Sequence, residues 1–322
     1  MANERYSDTI RVGIVGYGNL GKGAELAVKR NPDFDLVTVF AKRSLDQIEE
    51  MKQYIGQIDF MLLCVGSSVD LPKQAPEVVK LFNTVDTFDT HAKIPEYFAS
   101  MDEAAKQADH MAMISTGWDP GLFSLMRGLM EPVLPGGASN TFWGWGVSQG
   151  HGEAIKRIPG VQIARAYTIP VESTLEEVRA GGRKAYTPRQ MHKRDCYVVA
   201  EENADLESIR AQIVSMPNYF EPNDTEVTFV DMETFQKEHN VLPHGGSVIR
   251  SGDTGEAPHQ QVMEFSLKLE SNPEFTASVM LSFCRAARRM YAEGRRGAVT
   301  ALDVPVGYLS TKGDAALRKE LL

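Results

Sequence analysis

Cysteine is scarce in this chain: Cys64, Cys196 and Cys284 are the only three in 322 residues, far apart and in no Cys-x-x-Cys pair. That excludes a disulfide framework and a cysteine-held zinc, and leaves them as small buried hydrophobes. None of the histidines, at 91, 110, 151, 192, 239, 244 and 259, makes the His-x-x-x-His spacing that sets two ligands on one helical face, so no metal is expected. Long apolar runs are missing too. The longest, Phe60 to Val65, is far too short to cross a bilayer, and Met1 to Ile10 is polar and charged without the apolar stretch of a secretory signal. A cytoplasmic protein with no membrane partner is the expectation. Positive charge is in deficit, with 34 Lys plus Arg against 43 Asp plus Glu and a net charge of -9, which argues against a nucleic-acid partner. No repeat period or low-complexity run appears. What remains is a globular balance, 43% hydrophobic and 24% charged, in a chain long enough for two compact units.

The first third alternates strand and helix. Ile10 to Val15 reads as a β-rich segment, followed by Gly16-Tyr17-Gly18-Asn19-Leu20-Gly21 and a helix through about Arg30. In Gly-x-Gly-x-x-Gly between strand and helix the three glycines serve different ends: a tight turn at Gly16, close approach of the backbone to a pyrophosphate at Gly18, and helix-to-strand packing at Gly21. The second strand, Leu36 to Ala41, ends where an NAD enzyme places a carboxylate for the ribose hydroxyl. Here the chain instead has Ala41-Lys42-Arg43-Ser44. A cationic pair suits a 2'-phosphate, because Arg grips it bidentately and Lys adds a point charge, so NADP is expected over NAD. The alternation continues with a helix at Asp46 to Tyr54, a strand at Asp59 to Val65 ending in Gly66-Ser67-Ser68, and a helix at Ala75 to Phe82. A strand at Thr84 to Phe88, a helix at Ile94 to Ala108 and a strand at Met111 to Thr116 complete it. Ligands of open α/β sheets bind outside the carboxyl ends of strands, and two such ends deliver Asp89 and Asp119 to one edge.

After Ser139 the pattern becomes sheet-rich. Strands are expected at Thr141 to Val147, Ala164 to Pro170, Asp195 to Glu201, Thr225 to Val230, Gly246 to Ile249 and Val262 to Leu269, with helices at Thr174 to Arg179 and Leu206 to Met216. Glycine-rich turns are expected at Gly144 to Gly152, His244 to Gly246 and Gly252 to Gly255. An amphipathic helix follows Asn272-Pro273 to about Glu293. Its cluster Arg285, Arg288, Arg289, Arg295 and Arg296 lies where cations complement a helix dipole.

These pieces in order resemble the NADP-dependent meso-diaminopimelate D-dehydrogenases. The likeness runs along almost the whole chain. It is carried by Gly-Tyr-Gly-Asn-Leu-Gly (16 to 21), Ser-Thr-Gly-Trp-Asp-Pro-Gly (115 to 121), Thr-Phe-Trp-Gly (141 to 144), Ser-Gln-Gly-His (148 to 151) and Arg-Ile-Pro-Gly-Val (157 to 161). His-Lys-Arg (192 to 194), Pro-His-Gly-Gly (243 to 246), Gly-Asp-Thr-Gly (252 to 255) and Asn-Pro-Glu-Phe-Thr-Ala-Ser (272 to 278) continue it. The resemblance implies an α/β Rossmann-type dinucleotide-binding domain over 1–117, completed by 274–322, and a sheet-rich α+β substrate and dimerisation domain over 118–273. It implies a homodimer that reversibly deaminates meso-2,6-diaminopimelate at its D-centre to L-2-amino-6-oxopimelate and ammonia, in lysine and cell-wall precursor biosynthesis.

The residues it implies follow the chemistry. Asp89 and Asp119 are the catalytic candidates at the D-centre, with Trp118, Trp143, Gln149 and Gly150 around the same end of the substrate. Thr168, Arg194, His244 and Asn272 take the distal L-centre, where Arg194 can hold a carboxylate bidentately. The cofactor falls to Gly16, Tyr17, Gly18, Asn19, Leu20, Ala41, Lys42, Arg43, Cys64, Val65, Gly66 and Ser67. Thr87, Phe88, Asp89, Thr116, Gly117, Trp118, Asp119 and Pro120 complete that set. Trp145 stands where the resemblance implies a smaller residue or proline. Two alternatives are a broader D-amino-acid dehydrogenase and a non-catalytic NADP sensor.

Overall fold

The structure is a computed structural model that describes residues 9–41, 47–256 and 259–322. The chain begins with β1 (Ile10–Val15), α1 (Asn19–Arg30), β2 (Phe34–Phe40), α2 (Gln47–Met51), β3 (Phe60–Leu63), α3 (Leu71–Val79), β4 (Asn83–Asp86), α4 (Ile94–Gln107), β5 (Met111–Met113) and α5 (Leu122–Val133). Strands with helices covering both faces should be apolar throughout rather than alternating. Phe60–Leu63 and Met111–Met113 are accordingly buried along their whole length.

Within α5 the chain passes into a second compact unit, Met126–Asn272. That unit holds β6 (Ala138–Trp143), β7 (Gly146–Val147), α6 (Gln149–Ile155), β8 (Val161–Pro170), α7 (Glu172–Arg179), α8 (Pro188–Met191), β9 (His192–Ala200) and α9 (Leu206–Val214). Then come β10 (Asp224–Phe229), α10 (Met232–Glu238), β11 (His244–Thr254) and β12 (His259–Leu269). At α11 (Asn272–Ala292) the chain rejoins the first unit, to which it adds β13 (Gly297–Val299) and α12 (Asp314–Leu321).

In the first unit six strands lie in the order β13-β5-β4-β3-β1-β2, every neighbouring pair parallel. This is the doubly wound Rossmann-type arrangement. The second unit has two sheets. One is ordered β10-β9-β8-β7, in which only β9 and β10 run parallel; the other, β12-β11-β6, is antiparallel.

Several elements differ from expectation. The helix α3 starts at Leu71 rather than Ala75, because Pro72 sits in its first turn, where a missing N–H costs nothing, and the helix accommodates Pro76. The expected strand Thr141 to Val147 is two strands, β6 and β7. Part of the expected glycine turn, Gln149 to Gly152, is the helix α6, where Gly152 packs so close to Ala164 that a Cβ would lie 3.2 Å from its carbonyl oxygen. β11 begins at His244, inside another expected turn, and runs through Gly252 to Thr254, which pairs with His259. β13 and the helices α5, α8, α10 and α12 are additions.

The arginines of α11 do more than complement its dipole. Arg285 is buried, donating from Nε to Asp33 at 2.6 Å and from a terminal nitrogen to the Leu309 carbonyl, while Arg289 donates to the carbonyls of Gly307, Tyr308 and Ser310. They fasten the C-terminal segment to the first unit. The three cysteines are free and buried.

Candidate active site

In the first unit the glycine turn fits a dinucleotide. Gly16 has φ +90, a left-handed value that favours glycine, and a Cβ on Gly21 would stand 2.1 Å from the Gly16 carbonyl oxygen. A Cβ on Gly18 would meet nothing within 4 Å. The side of the turn where a pyrophosphate would approach is therefore open in the protein itself. The N-cap of α1 is Gly18, which has no side chain to cap the helix, and this leaves its first N–H groups suited to an anion. The other candidate cofactor residues sit just beyond the carboxyl ends of neighbouring strands: Ala41 after β2, Cys64 to Ser67 after β3, Thr87 to Asp89 after β4, and Thr116 to Pro120 after β5. Burial pushes the Cys64 thiol up to about 12, so it lines this edge as an inert group. Lys42 and Arg43, the expected phosphate clamp, lie outside the described residues.

Asp89 is exposed and its N–H donates to Ser67 Oγ at 2.8 Å, tying the loop after β4 to the loop after β3. Trp118 is buried and packs edge-on to Phe123, with ring centroids 5.2 Å apart. Asp119 is partly buried on the neighbouring loop. Parallel pairing of β4 with β5 thus brings both candidate aspartates to one edge of the sheet.

Sequence reasoning missed a third carboxylate beneath them. Asp86, fully buried, accepts on Oδ1 from the N–H groups of Phe88 (2.9 Å) and Ser115 (3.0 Å), and on Oδ2 from the Tyr97 hydroxyl (2.7 Å). Burial pushes its pKa up to about 6, against those three hydrogen bonds, which pull it down. The balance is physically reasonable: desolvation costs an ion several kcal/mol, and hydrogen bonds to a charged group return about 1.5 to 3 kcal/mol each. No local pattern in the sequence announces it, because Tyr97 and Ser115 lie 11 and 29 residues away.

In the second unit Thr168 of β8 and Arg194 of β9 stand opposite one another in the ladder, and the guanidinium donates to the Thr168 hydroxyl. Arg194 Nε is buried without a partner, and among the described residues no carboxylate pairs with this cation. Arg194 is partly buried, and a cation drawn out of water without a counter-charge is costly unless a ligand supplies one. Three imidazoles feel its charge. His151 and His192 are lowered to about 4 and His244 is lowered as well, first by burial and then by repulsion from Arg194. All three are therefore neutral near pH 7, and Arg194 carries the charge of the cluster.

His244 begins β11, where Gly146 lies so close that a Cβ there would be 2.3 Å from the His244 Cα. Gly246 of the same strand pairs with Trp143, whose ring stacks on His192 at 5.4 Å and whose main-chain N–H donates to His192 Nε2 at 2.9 Å. The N–H of Asn272 donates to the Leu242 carbonyl, next to this strand start. Gln149 and Gly150 are exposed at the first turn of α6. Trp145 is 56% exposed and stacks on Tyr167 at 4.8 Å.

Gly146 to Gly150 also has Gly-x-Ser-x-Gly spacing, and Ser148 Oγ lies 2.6 Å from His151 Nδ1. It is not a hydrolase elbow: Ser148 has ordinary extended backbone (φ -85, ψ 100), and an imidazole lowered to about 4 is a poor base. His151 and His192 support their neighbours, a role that no sequence spacing announces.

Residues 117–271 match the family described as Diaminopimelic acid dehydrogenase C-terminal domain. The chain is 50% identical to meso-diaminopimelate D-dehydrogenase of Lysinibacillus sphaericus, across 97% of this chain and 99% of that protein. Among solved structures, a mutant meso-diaminopimelate dehydrogenase from Clostridium tetani E88 with DAP aligns at TM-score 0.92 and 48% identity, covering 98% of this chain and 100% of that one. An engineered D-amino acid dehydrogenase bound to NADP+ aligns at TM-score 0.88 and 43% identity, covering 98% and 100%. Such identity along nearly the whole length decides the matter: the chain belongs to the meso-diaminopimelate D-dehydrogenase family.

Proposed function

We propose that this protein catalyses the NADP-dependent, reversible oxidative deamination of meso-diaminopimelate at its D-centre, giving L-2-amino-6-oxopimelate, ammonia and NADPH. The observation that carries the reading is the Arg194 guanidinium, bonded to Thr168, surrounded by neutral imidazoles and without a protein carboxylate among the described residues. A simple D-amino acid has nothing to place there. The distal carboxylate of diaminopimelate does, so the broader D-amino-acid reading is disfavoured.

In this reading Arg194 takes the distal carboxylate and Thr168, His244 and Asn272 complete its hydrogen bonds, which selects the substrate end left to react. Asp89 and Asp119 hold the amine of the D-centre and stabilise the cationic iminium character that develops as hydride leaves. Trp118, Trp143, Gln149 and Gly150 orient that end and limit water. The glycine turn and the strand ends from Ala41 to Pro120 hold NADP, with Lys42 and Arg43 on its 2'-phosphate. Bound there, NADP supplies the hydride acceptor. Orientation of this kind accounts for much of an enzyme's advantage.

Membership of the family supports a role in lysine and cell-wall precursor biosynthesis, a homodimer and a cytoplasmic setting; among the described residues no helix is long and apolar enough to cross a membrane. Light scattering on the purified protein tests the dimer. The activity is tested by following NADPH formation with meso-diaminopimelate: absorbance growth that requires both substrate and NADP is expected. Binding of NADP without turnover would favour a sensor instead.

A further inference from the structure

We infer that Asp86 is a positioning residue for the reaction, the pin that holds the loop bearing Asp89 in register with the loop bearing Asp119. The inference rests on the reading that those two aspartates act at the reacting centre.

The β4–β5 ladder pairs Thr84 with Ala112 and Val85 with Met113, where β5 ends, while β4 runs one residue further to Asp86, paired with Leu63 of β3 on its other side. Beyond the end of β5 the side chain of Asp86 adds to what the backbone does. Its Oδ1 accepts one N–H from its own loop, at Phe88, and one from the neighbouring loop, at Ser115. Its main-chain carbonyl accepts both the N–H (2.9 Å) and the hydroxyl (2.8 Å) of Thr116.

Ser115 has φ +58, a left-handed conformation that a residue with a Cβ seldom adopts, so its N–H needs a firm partner to stay aimed inward. From α4, Tyr97 holds the second oxygen of Asp86 while its ring stacks on Phe88, with centroids 4.1 Å apart. Phe88 immediately precedes Asp89, and Thr116 lies three residues before Asp119. Two segments with no covalent link over this span are thereby joined through one buried carboxylate. Two main-chain N–H groups and one hydroxyl donate to the carboxylate, which suits its ionised form, and a pKa raised only to about 6 leaves that form dominant near pH 7.

The experiment compares Asp86→Ala, Asp86→Asn, Tyr97→Phe, Asp89→Asn and Asp119→Asn in the full-length protein. The readouts are single-turnover NADPH formation with meso-diaminopimelate, KM for NADP and the thermal midpoint. Asp86→Ala is expected to slow turnover about 100-fold, the scale of an ångström-sized misplacement, and to raise KM for NADP much less, because the glycine turn and the loop after β3 still hold the cofactor. Asp86→Asn keeps an oxygen for both N–H groups and lets the Tyr97 hydroxyl turn round, so it should recover most of that loss. Tyr97→Phe, isosteric and apt to fold, should slow turnover more mildly, again with the smaller change in KM for NADP.

A parent turnover rate in both Asp86→Ala and Tyr97→Phe, with only the thermal midpoint lowered, would overturn the inference. So would an Asn variant as slow as the Ala variant, because charge rather than placement would then be at work. If Asp86→Ala does not fold, Tyr97→Phe and Asp86→Asn decide the question together. Unimpaired Asp89→Asn and Asp119→Asn would instead remove the underlying assignment. Slowed aspartate variants beside unaffected Asp86 and Tyr97 variants would overturn this inference alone.

Discussion

Thr168 and Arg194 face each other across the antiparallel ladder of β8 and β9, and the threonine hydroxyl accepts from the guanidinium. This fixes a cation that the protein itself does not neutralise among its described residues. Arg194→Met keeps most of the aliphatic stem and removes the charge. Charge-assisted hydrogen bonds contribute about 1.5 to 3 kcal/mol each, so kcat/KM for meso-diaminopimelate should fall about 10- to 100-fold or more. D-Alanine, which has no distal carboxylate, should lose far less. Steady-state kinetics on both substrates check this, and equal losses would remove Arg194 from the distal site.

Gly18 and Gly21 should separate cofactor binding from folding. A methyl group at Gly18 meets no protein atom, whereas at Gly21 it would strike the Gly16 carbonyl. Gly18→Ala should weaken NADP binding while leaving the thermal midpoint almost unchanged, because it fills only the space of the pyrophosphate. Gly21→Ala should lower both. Calorimetric titration with NADP and a thermal scan test the pair. Unaltered NADP affinity in Gly18→Ala would show that the cofactor does not cross the turn there.

Arg43→Ala should cost about 1.5 to 3 kcal/mol of NADP binding, the scale of hydrogen bonds to a charged group, with NAD binding barely altered. Titrations with both dinucleotides test this. A parallel fall in both would contradict the 2'-phosphate assignment.

Acid should destabilise the protein through its neutral histidines. In the unfolded chain a histidine takes up its proton around pH 6.5, whereas His151 and His192 stay neutral in the fold down to about 4. The unfolded state therefore binds more protons across that interval, and stability falls as pH drops through it. Asp86 works the other way, since its folded pKa of about 6 lies above the ordinary aspartate value and favours the fold as pH falls. Two histidines against one aspartate leave a net loss. Urea titrations at about pH 7 and about pH 5 should show it, and His192→Gln should reduce the difference between them.

How much of this was legible in the sequence depended on whether a residue's role is local. β1, α1 and the glycine turn were readable because apolar patterning and the demands of a tight turn act within a few neighbours. Asp89 and Asp119 were readable as strand-end residues of one sheet. The helix α6 was hidden by Gly150 and Gly152, which lower helix propensity, and its stability comes from packing on β8. The far end of β11 was hidden because Gly252-Asp253-Thr254 has turn composition, although pairing with β12 overrides it. Asp86, His151 and His192 were invisible for a different reason. Their partners lie far away in sequence, at Ser115, Tyr219 and Trp143, so only the folded chain shows what they hold.

The central claim is that a reacting D-centre and an anchored distal L-centre are selected together. The most direct measurement is NADPH formation across meso-, L,L- and D,D-diaminopimelate and D-alanine. Rapid formation with the meso isomer, none with L,L and much slower formation with the other two is the predicted result. Oxidation of L,L-diaminopimelate, or of D-alanine at the rate of the meso isomer, would contradict it.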